Sequence, residues 1–308
     1  MTSDQVTMLD GRTGEPRLLV RRAASSGPSV IYVHGATFPS ALSVAYRFHG
    51  HSWMDDLHRR GFDAWAFDFV GYGGSDRPAC FSRSPVDRPP GGRAPWASRQ
   101  LARVVAHVLA TTGRSRVSLL AHSWGTLVAG LYATKQPQNL DRLVLFGPIA
   151  RREAAGHAKV NVPGWRLVSI ADQLARFVED VPVGHPPVLI EPELAWWGLE
   201  YLATDAGSAA RMPPAVKIPS GPVADIAAAW SGRMAYDPER IKVPTLIVRG
   251  AWDGVSNDAD AAWLIARLGS LIKLDRKLPK GTHLMHLETG RAALFETAGR
   301  FLAGETNP

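Results

Sequence analysis

Short runs of β-branched and apolar residues alternate with stretches of helical periodicity along most of this chain. The strand-like runs include residues 30–33, 64–69 and 117–120, each with the length and composition of a buried strand. Between the last two, residues 101–109 place leucine and valine on one helical stripe. Parallel strands need a crossover helix, so this order leaves few possible folds. The sequence predicts an α/β fold with a mostly parallel, doubly wound sheet.

The alternation is interrupted once, over residues 149–237. This segment is rich in proline and carries short apolar helical pieces together with four tryptophans, Trp165, Trp196, Trp197 and Trp230. The tryptophans either line an apolar pocket or pack the segment on the core. We therefore predict a core whose first part spans residues 1–148 and whose second part spans 238–308, with an inserted, mainly helical lid over 149–237.

Ser123 stands where a strand pattern gives way to a helical pattern. Residues 121–125 read Ala-His-Ser-Trp-Gly, close to the Gly-x-Ser-x-Gly turn that lifts a nucleophile out of a sheet. Gly125 leaves room for the helix to pass near the strand, and Ala121 replaces the first glycine. The free N–H groups at the start of that helix face the same point. The position predicts a nucleophilic serine.

A serine hydroxyl needs a base within hydrogen-bond reach and an anion to orient that base. The strand pattern at 245–248 runs into a loop that holds Asp253, and the pattern at 271–274 leads through a loop to His283. Loops at the carboxyl ends of parallel strands form the ligand crevice of such sheets. We predict that Ser123, Asp253 and His283 act together, in the chain order Ser–Asp–His.

Nearby residues offer alternatives to the acid and the base. Asp258 and Asp260 follow Asp253 closely, but they fit the first turn of the next helix, where carboxylates meet the positive end of the helix dipole. His286 lies three residues after His283, and its position suits a stacking or capping role.

Four motifs, in the right order over nearly the whole chain, resemble those of lid-bearing α/β-hydrolase fold proteins. They are His-Gly-Ala at 34–36, Asp-Phe-Val-Gly-Tyr-Gly-Gly-Ser at 68–75, Gly-Ala-Trp-Asp at 250–253, and Gly-Thr-His at 281–283 with Glu288 nearby. The resemblance implies an oxyanion hole made by the backbone N–H groups of Ala36 and Trp124. It also implies that His34 and His122 support the loops rather than react.

The residue at the turn selects the chemistry. The sequence His-Ser-Trp-Gly resembles the His-Asp-Trp-Gly of epoxide hydrolases and dehalogenases, with serine in place of aspartate. Those relatives form an ester on a carboxylate, whereas an activated serine suits attack on an acyl carbonyl. We expect hydrolysis of a carboxylic ester or lactone of a small to medium apolar molecule, through an acyl-Ser123 intermediate.

Other functions fit the same fold. Prolyl aminopeptidase-like amide hydrolysis is suggested by Ser-Trp-Gly and by Glu191, Glu193 and Glu200, which are placed to hold an amine. Carbon–carbon bond hydrolysis of a diketone acid would use Arg166 or another lid arginine for the carboxylate. A non-catalytic ligand receptor is a further alternative, since fold does not fix function.

Composition and charge indicate which classes of partner and cofactor to expect. The net charge is +7, but the basic residues are scattered, so a small-molecule substrate is expected rather than nucleic acid. No apolar run is long enough to span a membrane and the N-terminus does not read as a signal peptide, which predicts a cytoplasmic protein. The one cysteine, Cys80, suggests neither a disulfide nor a metal site. We expect no metal or organic cofactor, and a monomer or homodimer.

Overall fold

Ten strands are present in the computed structural model, which describes residues 4–87, 89–153, 162–190 and 193–307. Eight of them form one sheet and two form a separate pair. In chain order they are β1 (Gln5–Leu9), β2 (Leu18–Ala23), β3 (Ser29–Val33), β4 (Asp63–Phe67), β5 (Val117–His122), β6 (Leu140–Phe146), β7 (Trp165–Ser169), β8 (Ala215–Pro219), β9 (Thr245–Gly250) and β10 (Lys273–Leu278).

The large sheet has the order β1-β2-β4-β3-β5-β6-β9-β10. Strands β1 and β2 are antiparallel to their neighbours, and every pairing from β4 across to β10 is parallel. The predicted mostly parallel sheet is confirmed. Its parallel strands bring the loops after β3, β5, β6, β9 and β10 to one edge, which is where a ligand crevice forms in such sheets.

Helices cover both faces of the sheet. Alternate residues of the central strands point to opposite sides, so Ile31 belongs to one apolar core and Tyr32 to the other. The helices are α1 (Trp53–Arg59), α2 (Ala94–Thr112), α3 (Gly125–Lys135), α4 (Ile170–Val178), α5 (Glu193–Ala203), α6 (Gly221–Trp230), α7 (Asp258–Arg267) and α8 (Arg291–Leu302). Helices α1 and α8 pack on one face, and α2, α3 and α7 on the other. None of the helices in the ranges above is long and apolar enough to cross a membrane.

Side-chain caps begin two of the core helices. Ser52 and Asp55 form a capping box at the start of α1. Asn257 and Asp260 form another at the start of α7, and Asp258 lies in the same first turn. Both alternative acids are therefore residues of a helix N-terminus, where their charge is favourable.

The last strand lies further along the chain than predicted. The apolar run at 271–274 suggested a strand there, but β10 is Lys273–Leu278 and Leu271 is fully exposed. Strand β10 is an edge strand that pairs with β9 alone, so polar residues at half-buried positions are tolerated. A strand of this kind has no continuous apolar run, so the sequence pattern places it too early in the chain.

The segment between β6 and β9 carries α4, α5 and α6, so the predicted helical pieces are present. It also contains the antiparallel pair of β7 and β8, which the sequence does not predict. Each of these strands has five residues, and β8 ends at Pro219 within a proline-rich stretch. Proline and short length remove the usual strand signal.

Candidate active site

Ser123 lies on the turn between β5 and α3. Its φ is +55°, a backbone conformation that side-chain-bearing residues seldom adopt and that costs about 1–3 kcal/mol. Three hydrogen bonds hold it there. The Ser123 N–H donates to the Phe146 carbonyl over 2.9 Å, and the N–H and hydroxyl of Thr126 donate to the Ser123 carbonyl over 2.9 and 2.5 Å. The strained turn aims the hydroxyl away from the sheet, as the motif predicts.

Gly125 and Ala121, the small residues on either side of this turn, fit their positions for different structural reasons. A Cβ on Gly125 would lie 2.5 Å from the His34 carbonyl oxygen and 2.6 Å from that of Val33, so α3 starts against the end of β3 and requires glycine. Ala121 is a fully buried residue of β5 whose partner in β6 is Leu145. A methyl group therefore fits the central strand where the common motif has glycine.

Ser123, His283 and Asp253 form a hydrogen-bonded chain, although 130 residues separate the first from the last in sequence (253 − 123). The distance from Ser123 Oγ to His283 Nε2 is 2.7 Å, and His283 Nδ1 lies 3.0 Å from both carboxylate oxygens of Asp253. A carboxylate only accepts, so Nδ1 carries the proton and Nε2 accepts from the serine hydroxyl. All three side chains are buried. The structure brings the three predicted residues together.

Asp253 is held by the loop that carries it. Its Oδ1 accepts hydrogen bonds from the backbone N–H groups of Val255 and Ser256, over 3.0 and 2.8 Å. These bonds fix the direction of the carboxylate toward the imidazole. Asp258 and Asp260 form ion pairs with basic side chains elsewhere. The geometry therefore selects Asp253 among the three candidate acids.

His34 fixes the loop that carries one predicted oxyanion donor. The Phe69 N–H donates to His34 Nε2 over 3.0 Å, so the ring proton is on Nδ1, which donates to the Gly35 carbonyl over 2.8 Å. That carbonyl and the Ala36 N–H belong to one peptide unit, whose direction is thereby set. The Tyr72 hydroxyl donates to the Ala36 carbonyl on the other side. Burial lowers the pKa of His34, so its ring stays neutral.

Two backbone donors face the candidate nucleophile. Trp124 directly follows Ser123 at the start of α3, and Ala36 lines the same cavity as Ser123. Within the described ranges, neither backbone N–H donates to another protein group. Unused donors at such a point can stabilise negative charge as it develops on a carbonyl oxygen.

Two further histidines, His122 and His286, lie close to His283. His122 Nε2 donates to the backbone carbonyl of His283 over 2.9 Å and so anchors that loop. His286 stacks on Phe38, with its ring centre 4.5 Å from that of His122. Burial lowers the pKa of His122 well below its usual range and that of His286 to about 3. Both rings are therefore neutral, and neither contacts the Ser123 hydroxyl.

Gly147 is a site residue that the sequence analysis missed. It follows β6, has a φ of +54°, and a Cβ there would lie 2.9 Å from His283 Nδ1 and 3.0 Å from Asp253 Oδ2. The His283–Asp253 pair occupies the space that a side chain at 147 would need. A glycine directly after a parallel strand is the sequence signal that marks it.

Asp225 was also missed. This buried residue of α6 accepts hydrogen bonds from Trp124 Nε1 over 2.9 Å and from the Ala94 N–H over 2.6 Å, and it pairs with Arg93. It therefore joins the inserted segment to the serine turn and to the start of α2. No local pattern announces this contact, because 101 residues separate Asp225 from Trp124.

Glu288 braces the histidine loop. Its carboxyl group accepts from the Thr282 N–H over 3.3 Å and from the Thr282 hydroxyl, directly before His283. Burial raises the pKa of Glu288 to about 7, while the bonds from Thr282 act in the opposite direction. The sequence motif places Glu288 close to His283, and the bonds from Thr282 give Glu288 a structural role there.

The cavity above Ser123 is small. Its free volume is ≈ 10 Å³, about enough for one water molecule. Its lining comprises Gly35, Ala36, Thr37, Phe38, His122, Ser123, Arg176, His283 and Leu284. Arg176 comes from α4, so the inserted segment forms one wall.

Contacts from α4 and α5 hold the inserted segment on the loop after β3. Gln173 Nε2 donates to the Thr37 carbonyl over 3.3 Å, and Trp197 Nε1 donates to the Leu42 carbonyl over 2.9 Å. Trp197 is completely buried, whereas its neighbour Trp196 is 67% exposed. Neither tryptophan lines the cavity. Trp197 packs the segment on the core.

Metal-ligating side chains are not grouped in the part of the chain that the structure describes, where no three or more of His, Cys, Asp and Glu could hold an ion together. Cys80 is half-buried in a single 3-10 turn, Ala79–Ser82, and does not line the Ser123 cavity.

With this fold and this arrangement of side chains, the chain belongs to the α/β-hydrolase fold family, whose model matches residues 28–289. No curated protein sequence matches it. Among solved structures, the thioesterase domain from the curacin biosynthetic pathway is 16% identical, with a TM-score of 0.64 over 96% of this chain and 99% of that one.

Two other structures are similar to a comparable extent. A serine hydrolase from the polyaromatic hydrocarbon-degrading bacterium Cycloclasticus zankles is 16% identical, with a TM-score of 0.64 over 99% of this chain and 100% of that one. The 2-hydroxy-6-oxo-6-phenylhexa-2,4-dienoate hydrolase of Rhodococcus sp. strain RHA1 is 16% identical, with a TM-score of 0.61 over 97% and 99%. At this identity the likeness establishes the fold.

Proposed function

We propose that this protein is a serine hydrolase that cleaves a carboxylic ester or lactone through an acyl-Ser123 intermediate. The observation that carries the proposal is the 2.7 Å hydrogen bond from Ser123 Oγ to His283 Nε2, with Asp253 on the other ring nitrogen. A serine is a weak nucleophile unless a base is placed in this way. Family membership supports hydrolysis as the reaction class.

The proposed reaction has two halves. His283 takes the Ser123 proton as the oxygen attacks the acyl carbonyl, and Asp253 stabilises the imidazolium that forms. The N–H groups of Ala36 and Trp124 receive the negative charge on the carbonyl oxygen. His283 then protonates the alcohol oxygen as its bond to the acyl carbon breaks. In the second half, His283 takes a proton from the water that attacks the acyl-enzyme and returns it to the Ser123 oxygen as the acid is released.

The alternatives differ in their support. An amine clamp for amide substrates is not supported, because Glu193 accepts from the His49 N–H and Glu200 is exposed, while Glu191 lies outside the described residues. Carbon–carbon hydrolysis of a diketone acid has one favourable observation, the half-buried Arg166 near Tyr72. It remains the second candidate, since it would use the same serine.

The first test is covalent labelling with a fluorophosphonate. We expect one adduct on Ser123, located by peptide mass spectrometry, and no adduct in Ser123→Ala. Ser118→Ala is the matched control, because Ser118 is a buried serine of β5, the strand that leads into the Ser123 turn, and this variant should label normally. An unlabelled Ser123 in the wild-type protein would count against the mechanism.

A substrate panel separates the remaining functions. It comprises short and long acyl esters, lactones, proline arylamides and a vinylogous diketone acid. We expect the wild type to hydrolyse esters or lactones, and Ser123→Ala to lose that turnover while it keeps its fold by circular dichroism. Tight binding of a panel member without any hydrolysis or labelling would instead indicate a receptor.

A further inference from the structure

Two arginines near the candidate active site lack the partners that other arginines have. Within the described ranges, every other half-buried arginine forms a hydrogen bond or ion pair with an oxygen atom. Arg166 on β7 and Arg176 on α4 are the exceptions, and the buried Nε of Arg166 donates to no acceptor there.

Arg176 lines the cavity that holds Ser123 and His283. Arg166 lies within electrostatic range of Arg176 and of Tyr72, whose hydroxyl donates to the Ala36 carbonyl. Both arginines therefore lie near the loop that carries Ala36. The charge of Arg176 also lowers the pKa of His122.

No carboxylate of the described part of the chain forms an ion pair with either arginine. The other titratable groups that act on Arg166 are Tyr72, Tyr201 and Asp172, and the carboxylate of Asp172 is engaged by the N–H and hydroxyl of Ser169 in the cap of α4. Burial lowers the pKa of Arg166, and the charge of Arg176 adds to that effect. Two like charges that are partly shielded from water repel each other more strongly than in bulk water, and an anion that binds both removes that cost.

We propose that Arg176, assisted by Arg166, binds a carboxylate carried by the substrate, so that the esters hydrolysed here are those of an acidic molecule. This inference rests on the proposed function and names its substrate class. A guanidinium presents two parallel N–H donors that match a carboxylate, and a substrate anchored in this way holds its ester carbonyl over Ser123.

The test compares anionic and neutral substrates of equal shape. Mono-4-nitrophenyl adipate and its methyl ester place the acid on the acyl side, and 4-acetoxybenzoate and its methyl ester place it on the alcohol side. For each pair the measured quantity is the ratio of kcat/KM for the acid to that for the methyl ester. Intrinsic reactivity cancels when variants are compared by this ratio.

We expect one of the two pairs to give a ratio that falls about 10- to 100-fold in Arg176→Gln, as the loss of a charged hydrogen bond implies. Arg176→Lys should recover part of it, and Arg166→Gln should lower it less. Arg99→Gln, which removes an exposed arginine of α2 outside the cavity, should leave the ratio unchanged. Equal losses on both members of each pair would overturn the proposal.

A binding measurement separates this inference from the proposed function. Monomethyl adipate and 4-acetoxybenzoate are each titrated by calorimetry into Ser123→Ala and into the double variant Ser123→Ala with Arg176→Gln. Binding to the first variant and at least tenfold weaker binding to the second would support the carboxylate site even if no ester were hydrolysed. Equal affinity of the two variants for both ligands, or no binding of either ligand, would refute it even if Ser123 were labelled normally.

Discussion

At the scale of single residues, two glycines let the site close. Gly125 allows α3 to begin against β3, and Gly147 gives the His283–Asp253 pair the space that any side chain would fill. In both cases the missing Cβ matters more than backbone freedom alone. The distinction is testable at Gly147, because a second glycine with a similar φ lies in open space.

We expect Gly147→Ala to lower kcat about 100-fold, since the new methyl group would push His283 or Asp253 out of line. Gly113→Ala is the control: Gly113 has a φ of +68° against +54° for Gly147, but nothing lies within 4 Å of its Cβ position. It should lose about 1–2 kcal/mol of stability and keep kcat. Similar kcat values for the two variants would mean that backbone strain, not contact, explains Gly147.

At the scale of elements, the serine turn depends on the inserted segment. Asp225 of α6 accepts from the indole of Trp124, whose backbone N–H is a proposed oxyanion donor, and also from the first residue of α2. One buried carboxylate thus joins three elements. The inserted segment does more than cover the cavity: it helps to fix the position of α3.

Asp225→Asn should lower both stability, by about 1–3 kcal/mol, and kcat, because the neutral amide weakens the bonds to Trp124 and Arg93. Asp260→Asn is matched to it, since Asp260 is equally buried, pairs with Arg152 and caps α7 away from the serine turn. It should lower stability alone. Denaturant unfolding and kcat measured together decide the point, and an unchanged kcat in Asp225→Asn would contradict this role.

The sequence predicts those elements and residues whose signals are local. Ser123, Asp253 and His283 each follow a parallel strand, so the strand patterns and the rules of such sheets bring them to one edge. Asp225 gives no such signal, because its contact with Trp124 joins distant parts of the chain. The short pair of β7 and β8 and the edge strand β10 were missed or misplaced because their residues lack a continuous apolar run.

At the scale of the whole molecule, three buried histidines around the site link folding to pH. Burial lowers the pKa values of His34, His122 and His286 in the folded protein, whereas an unfolded chain titrates them near 6.5. Below that pH the unfolded state binds more protons, so each histidine makes stability fall with decreasing pH. Glu288 acts in the opposite direction between 4.5 and about 7, because its raised pKa makes the folded state bind the extra proton.

His286 isolates one part of this linkage. Its pKa of about 3 against 6.5 in the unfolded chain means that stability is lost progressively across that window as pH falls. His286→Leu replaces the imidazole with an uncharged side chain of similar size. Neither ring nitrogen of His286 has a hydrogen-bond partner in the described part of the chain, so the substitution breaks no hydrogen bond. The free energy of unfolding should therefore fall less steeply, by up to about 1.4 kcal/mol per pH unit. Urea unfolding between pH 6.5 and 3 tests this window, and parallel curves for the variant and the wild type would show that His286 takes up a proton in the folded protein.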